Sequence, residues 1–203
     1  MTVCDVLELG DPRLRVRSAE VPDQALEGQA LQDLVKDLIE TMRARNGAGI
    51  AAPQIGVAQR VCVIEVNDNP RYPYKPTIPL TVLINPTLER IGEETISVIE
   101  GCLSVPNLRG RVLRAARVRV RALDAEGRRV VLLAEGLTAG TLQHELDHLD
   151  GLLFVDHVTD PRTLTTIANY QEFTASDFAL EAAAINQAYP QPLRVEVGSS
   201  PSL

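Results

Sequence analysis

The chain has 203 residues, 45% of them hydrophobic and 23% charged, which is the size and composition of one compact globular domain. Its 20 Lys and Arg stand against 27 Asp and Glu, a net charge of −7, which argues against DNA or any nucleic acid as a ligand of the whole surface. No apolar run approaches the roughly 18 to 20 residues that cross a bilayer, and MTVCDVLELGDPRL lacks the basic and apolar segments of an export signal, so neither a membrane protein nor an exported one is expected.

Taken in chain order, Leu31, Leu34, Val35, Leu38, Ile39 and Met42 recur at steps of three and four, predicting an amphipathic N-terminal helix over residues 23–45. Gly47 and Gly49 are expected to end it. Residues 61–66, rich in β-branched side chains, read as a buried strand and residues 81–85 as another, with the loop-like stretch 67–79 as an insertion between them. The alternation Arg117, Val118, Arg119, Val120, Arg121, Ala122 gives a half-buried strand with a basic wet face. DAEGR at 124–128 turns it, and residues 130–133 return antiparallel. Thr138 is the expected cap of a helix whose apolar side carries Leu142, Leu146 and Leu149. A further helical region follows Pro161, and AYPQPLRVEVGSSPSL at the end reads as an extended or disordered tail. Strands fill the middle and helices flank it, so the class is α+β.

Cys4, Cys62 and Cys102 are odd in number and widely spaced, which argues against a disulfide framework and for a reducing compartment. The sharpest chemical signal is His144-Glu145-Leu146-Asp147-His148. On a helix the two imidazoles lie one above the other and can ligate one metal, while Glu145 reaches a water bound beside it. Two His are too few for a catalytic metal site, so a third ligand is needed. The pattern H-E-x-x-H-x-x-G-x-x-H is followed through Gly151 but carries Phe154 at its last position, which counts against that class of protease. Downstream, Glu172 is one candidate. Upstream, Glu100-Gly101-Cys102-Leu103-Ser104 offers a better one, because a thiolate is a strong ligand for zinc or ferrous iron. Taken alone, Cys102 also suits a small buried core residue, as Cys4 and Cys62 do. A third segment, Gly47-Ala48-Gly49-Ile50-Ala51-Ala52-Pro53-Gln54, is made of small residues and ends in an amide. Such a loop lets a peptide backbone lie against it, with the Gln54 NH₂ aimed at a developing oxyanion.

Together, G-A-G-I-A-A-P-Q, E-G-C-L-S and Q-H-E-L-D-H closely resemble the three motifs of the peptide deformylases, in the same order, and GDPRLR and VLINP extend the likeness from about Val3 to His157. The resemblance implies a metal-dependent hydrolase, cytoplasmic here, that removes the formyl group from the initiator formyl-methionine of nascent polypeptides. It implies one divalent metal ion, Fe²⁺ natively with Zn²⁺, Ni²⁺ or Co²⁺ as surrogates, held by Cys102, His144 and His148. It makes Glu145 the general acid and base, and Gln54 with the Leu103 backbone N–H the oxyanion donors. Gly49 and Arg109 become contacts of the substrate backbone. The fold implied sets mixed or antiparallel strands around the central metal-binding helix. Residues 1–160 would form the catalytic part, and 161–203 a C-terminal helical region and tail of the same domain.

The chain departs from the family pattern at Ala48, Gly140 and Thr141, where larger side chains are common, which leaves room to enlarge or reshape the methionine pocket. Two competing readings stand beside this one. One is a metallopeptidase with Glu172 as third ligand. The other is a ribosome- or RNA-binding module built on the eight Arg between residues 109 and 129, set against Asp124 and Glu126. A solvated strand face explains the same arginines, and residues 159–203 hold five acids against Arg162 and Arg194 with no Lys, so any ribosome contact is expected to be weak and carried by that hairpin.

Overall fold

The structure, a computed structural model, describes residues 3–197. The first helix, α1 (Gln29–Ala44), buries Leu31, Leu34, Val35, Leu38 and Met42 along one stripe. It begins later than the periodicity predicts, because Asp23–Ala25 forms a separate 3₁₀ turn and Gly28 holds extended backbone at the cap. Asn46, not the glycines after it, makes the turn that ends α1. Its φ of 52° is left-handed, and the Gly47 N–H donates to Met42 O at 2.9 Å, an arrangement that satisfies the last carbonyls of a helix.

The strands that follow are β1 (Gly49–Ala51), β2 (Val61–Val66), β3 (Ile78–Arg90), β4 (Thr95–Cys102), β5 (Val105–Ala115), β6 (Arg117–Leu123), β7 (Arg129–Glu135), β8 (Thr165–Thr166) and β9 (Leu193–Val197). One antiparallel sheet runs β1-β2-β3-β6-β7-β9, and a smaller one runs β4-β5-β8. β2 is apolar almost throughout because both its faces are covered. Val61 and Val63 pack with Leu34, Leu38 and Met42 of α1. Cys62, Ile64 and Val66 pack on the other side with Ala139, Leu142, Leu146 and Leu149, as the two-residue period of a strand requires.

Those last four residues belong to α2 (Gly136–Leu149), which lies against the main sheet. α2 starts before Thr138. Gly136, at φ 57°, turns the chain straight from β7 into the helix, and its N–H donates to Ala116 O at 2.9 Å. Thr138 is therefore buried inside the helix rather than capping it. Two more helices, α3 (Ile167–Phe173) and α4 (Ala175–Ala188), cover the smaller sheet, where Phe178 and Ala182 join Ile96, Val98, Val112 and Phe154 in a second core.

Three further differences from the sequence reading concern strands. The β4–β5 hairpin has no counterpart in the predicted elements, and β3 extends well beyond residues 81–85 at both ends. The expected tail is in part a strand: β9 pairs with β7 from Ala134↔Leu193 to Val130↔Val197, while 198–203 lie outside the described residues. On β6 the arginines alternate as predicted, but each is paired with acid. Arg117 reaches Glu94 at 2.8 Å and Glu135 at 3.1 Å, and Glu89 takes Arg119 at 3.0 Å and Arg121 at 3.1 Å. Among the described residues no helix is long and apolar enough to cross a membrane.

Candidate active site

Three elements meet at one narrow cavity of about 40 Å³: the β1 segment with the 3₁₀ turn Ala52–Ile55, the turn between β4 and β5, and α2. α2 supplies His144, Glu145 and His148, and the end of β4 supplies Cys102. One ligating atom from each of Cys102, His144 and His148 lies within 4.8 Å of the others. Cys102 Sγ is 3.3 Å from His148 Nε2, and the Ser104 N–H points at the same sulfur from 3.4 Å. Burial alone would raise the Cys102 thiol, but His148 and His144 beside it outweigh burial and hold it well below the ordinary thiol range.

The His144 ring is held from behind. Its Nδ1 lies 2.7 Å from Glu100 Oε2, which leaves Nε2 for the cavity. Glu100 in turn receives Arg114 Nε at 2.8 Å and Nη2 at 3.0 Å, and Arg114 Nη1 reaches Asp147 at 2.6 Å. Burial opposes the charge on Glu100, yet His144 and Arg114 keep its carboxyl far below the usual range. For His144, burial works against protonation and the Glu100 carboxylate overrides it, so the imidazole sits well above its ordinary value. A carboxylate on the far nitrogen is the usual support of a metal-binding histidine. Glu100 was missed in the sequence, although that rule asks for such a residue and Glu100 stands two before Cys102.

Glu145 is buried, and burial raises its carboxyl. Its Oε2 has no hydrogen-bond partner among the described residues. The carboxylate fits only because residue 49 is glycine: a Cβ there would stand 2.4 Å from Glu145 Oε1. Gln54, only 1% exposed, is fixed by both ends of its amide. Oε1 accepts from the Ala51 N–H at 2.8 Å, while Nε2 donates to Ser104 Oγ at 3.0 Å and lies 3.5 Å from Cys102 Sγ. Leu103 lines the same cavity.

Two candidates lie elsewhere. Arg109 does not line the cavity. It is 4% exposed, stacks 4.8 Å from the Tyr72 ring and 5.7 Å from that of Tyr170, and presses on Gly101, where a Cβ would come within 2.6 Å of its Nη1. Glu172 is exposed on α3 and is not in the cluster, which removes the metallopeptidase reading. Conversely, Tyr72, Tyr74 and Lys75 from the 67–79 insertion and Phe178 from α4 line the cavity without having been singled out. Loop residues carry no periodicity that would have marked them.

One thiol, two imidazoles and an unpartnered buried carboxylate around a cavity in an antiparallel α+β frame make a cluster that could hold a metal ion beside a proton-transferring group, the arrangement of the metal-dependent hydrolases. The donor set itself fits an ion, because a depressed thiol and two buried imidazoles converge on one point with only one another as close partners there. The chain belongs to the polypeptide deformylase family, whose profile matches residues 3–163. It is 48% identical over 161 residues to Peptide deformylase 1 of Prochlorococcus marinus (strain MIT 9313), covering 79% of this chain and 83% of that one. To the peptide deformylase of Thermomicrobium roseum it is 41% identical over 175 residues, covering 86% and 97% respectively. The Met-Ala-Ser-bound crystal structure of the class I type b peptide deformylase from Acinetobacter baumannii superposes with a TM-score of 0.75 at 39% identity, over 77% of this chain and 99% of that one.

Proposed function

We propose that this chain removes the N-formyl group from the initiator formyl-methionine of nascent peptides in the cytoplasm, using one Fe²⁺ ion natively. The observation that carries the reading is the Cys102, His144 and His148 cluster set beside the unpartnered Glu145 carboxylate and the Gln54 amide. Cys102 Sγ, His144 Nε2 and His148 Nε2 would hold the ion, which when bound supplies Lewis acidity to the formyl carbonyl and lowers the pKa of a water. Zn²⁺, Ni²⁺ or Co²⁺ would serve the same donors.

The chain's own groups meet the remaining demands. Glu145, raised by burial, takes the proton of the attacking water and returns it to the leaving amine. Gln54 Nε2 and the Leu103 N–H donate to the oxygen as it gains charge, a contribution on the order of 3 kcal/mol per donor. β1 is the edge strand of its sheet. Ala48 O accepts from the Glu65 N–H in the ladder with β2, so the N–H and C=O of Gly49, one residue on, face outward. They give the substrate backbone a strand to pair with. Arg109 is a positioning residue in this scheme, acting through the Gly101 backbone that it supports.

Formate release from formyl-Met-Ala-Ser, by protein purified without oxygen and analysed for metal, tests the reading. Turnover in the absence of RNA is expected, with metal and activity lost together in Cys102→Ser. No turnover by the wild-type chain, or a Cys102→Ser variant that keeps both, would overturn it.

A further inference from the structure

Ala48, Gly140 and Thr141 are small residues in the wall of the cavity, and Lys75 lines the same wall beside Thr141. Lys75, from the 67–79 insertion, brings its Nζ to 2.7 Å from Thr141 Oγ1, one of the residues lining the cavity. Thr141 Oγ1 already donates to Leu137 O at 3.0 Å, so it meets the ammonium as an acceptor only. The Tyr72 ring lies 4.8 Å from Nζ, and the Tyr72 hydroxyl is tied to Gly101 O at 3.3 Å. An ammonium has three donors. Among the described residues Thr141 Oγ1 is its one hydrogen-bond partner, and no carboxylate lies within ion-pair distance. Burial lowers the lysine, partly offset by Tyr72, Glu100 and Glu145 at longer range. Lys75 is half-buried, so a side chain that seals the cavity over its spare donors is costly to bind unless it offers them an acceptor.

We propose that Lys75 makes this cavity favour an N-formyl residue whose side chain offers a neutral acceptor over an apolar one of the same length, methionine weakly and methionine sulfoxide most strongly. This rests on the deformylase reading: with the formyl amide over Cys102, His144 and Glu145, the side chain of the same residue occupies the rest of the cavity, toward Lys75 and Thr141. A thioether sulfur is a weak acceptor and a norleucine methylene none, whereas a sulfoxide oxygen takes a full charge-assisted bond from the ammonium. Glu100 and Glu145 line the same cavity, so a third anion meets like charge there and the favoured acceptor is neutral. A site built to hydrogen-bond a substrate oxygen rejects the analogue that lacks it.

The test compares formyl-Met-Ala-Ser, formyl-Met(sulfoxide)-Ala-Ser and formyl-norleucyl-Ala-Ser on the metal-loaded enzyme, together with the affinities of the deformylated products. The wild-type chain should favour sulfoxide over norleucine by about tenfold or more in kcat/KM, with product affinities in the same order. Lys75→Met should lower that ratio about 10- to 100-fold, and Lys75→Gln, which keeps a donor, should lower it less. A wild-type preference for norleucine, or a ratio that moves less than about twofold in Lys75→Met, overturns the inference while leaving the deformylase reading intact. No turnover of any of the three peptides overturns both.

Discussion

A methyl group at Gly49 cannot coexist with the Glu145 carboxylate, since it would lie 2.4 Å from Oε1. Gly49→Ala is therefore expected to push Glu145 off its position and cut kcat by roughly 10²-fold, the scale of a displaced acid-base group. Metal content should not change, because Glu145 is not among the three donors that converge at the proposed metal site. Formate release and metal analysis on the same sample check this, and loss of metal would mean that the backbone, not the carboxylate, had given way. At this scale the sequence was most legible where residue type and spacing are dictated by chemistry. Cys102, His144 and His148 do converge, and Gln54 does lie against the sulfur. Glu100, Lys75 and the tyrosines were not legible, because they act through contacts that join distant stretches of chain. For Arg109 the place after the second motif suggested substrate contact; it lies beside the rings of Tyr72 and Tyr170, and its Nε and Nη1 have no hydrogen-bond partner among the described residues.

Helices and strands were readable where one physical demand set their pattern. β2 is covered on both sides and reads as a continuous apolar run, and β6 with β7 alternates because one face is wet. The β4–β5 hairpin escaped because function interrupts its pattern. Glu100, Ser104, Arg109 and Arg114 are all buried there, where a strand would ordinarily place apolar residues. The start of α2 escaped for a different reason. A glycine in left-handed backbone replaces a capping side chain, and Gly136 is followed closely by the better-looking cap Thr138. Gly136→Ala must pay for both the left-handed conformation and a Cβ 3.1 Å from Tyr189. It should destabilise the fold by about 1 to 2 kcal/mol, visible as a lower denaturant midpoint with unchanged slope. An unchanged midpoint would show that the turn into α2 relaxes freely.

On the scale of the whole molecule, the acidic balance of the chain extends to the basic face of β6. Arg117, Arg119 and Arg121 face Glu89, Glu94 and Glu135 at ion-pair distance, so phosphate must compete with carboxylates already in place. Co-sedimentation with ribosomes should accordingly be weak at roughly 50 mM salt and absent by roughly 200 mM. Binding that persists at the higher salt would reveal a phosphate contact elsewhere on the surface. The layers of the fold serve the site. α2 is clamped on the main sheet through Leu142, Leu146 and Leu149, and the smaller sheet brings Cys102 to it. The central claim is that the ligands and the proton-transferring group are separate, three side chains holding the ion and Glu145 doing the proton work. Glu145→Gln tests that most directly, through formate release from formyl-Met-Ala-Ser and metal content measured on the same preparation. The account predicts about one ion per chain in both proteins, with kcat lowered by roughly 10² to 10⁴-fold in the variant. Near-normal turnover, or loss of the ion along with activity, would contradict it.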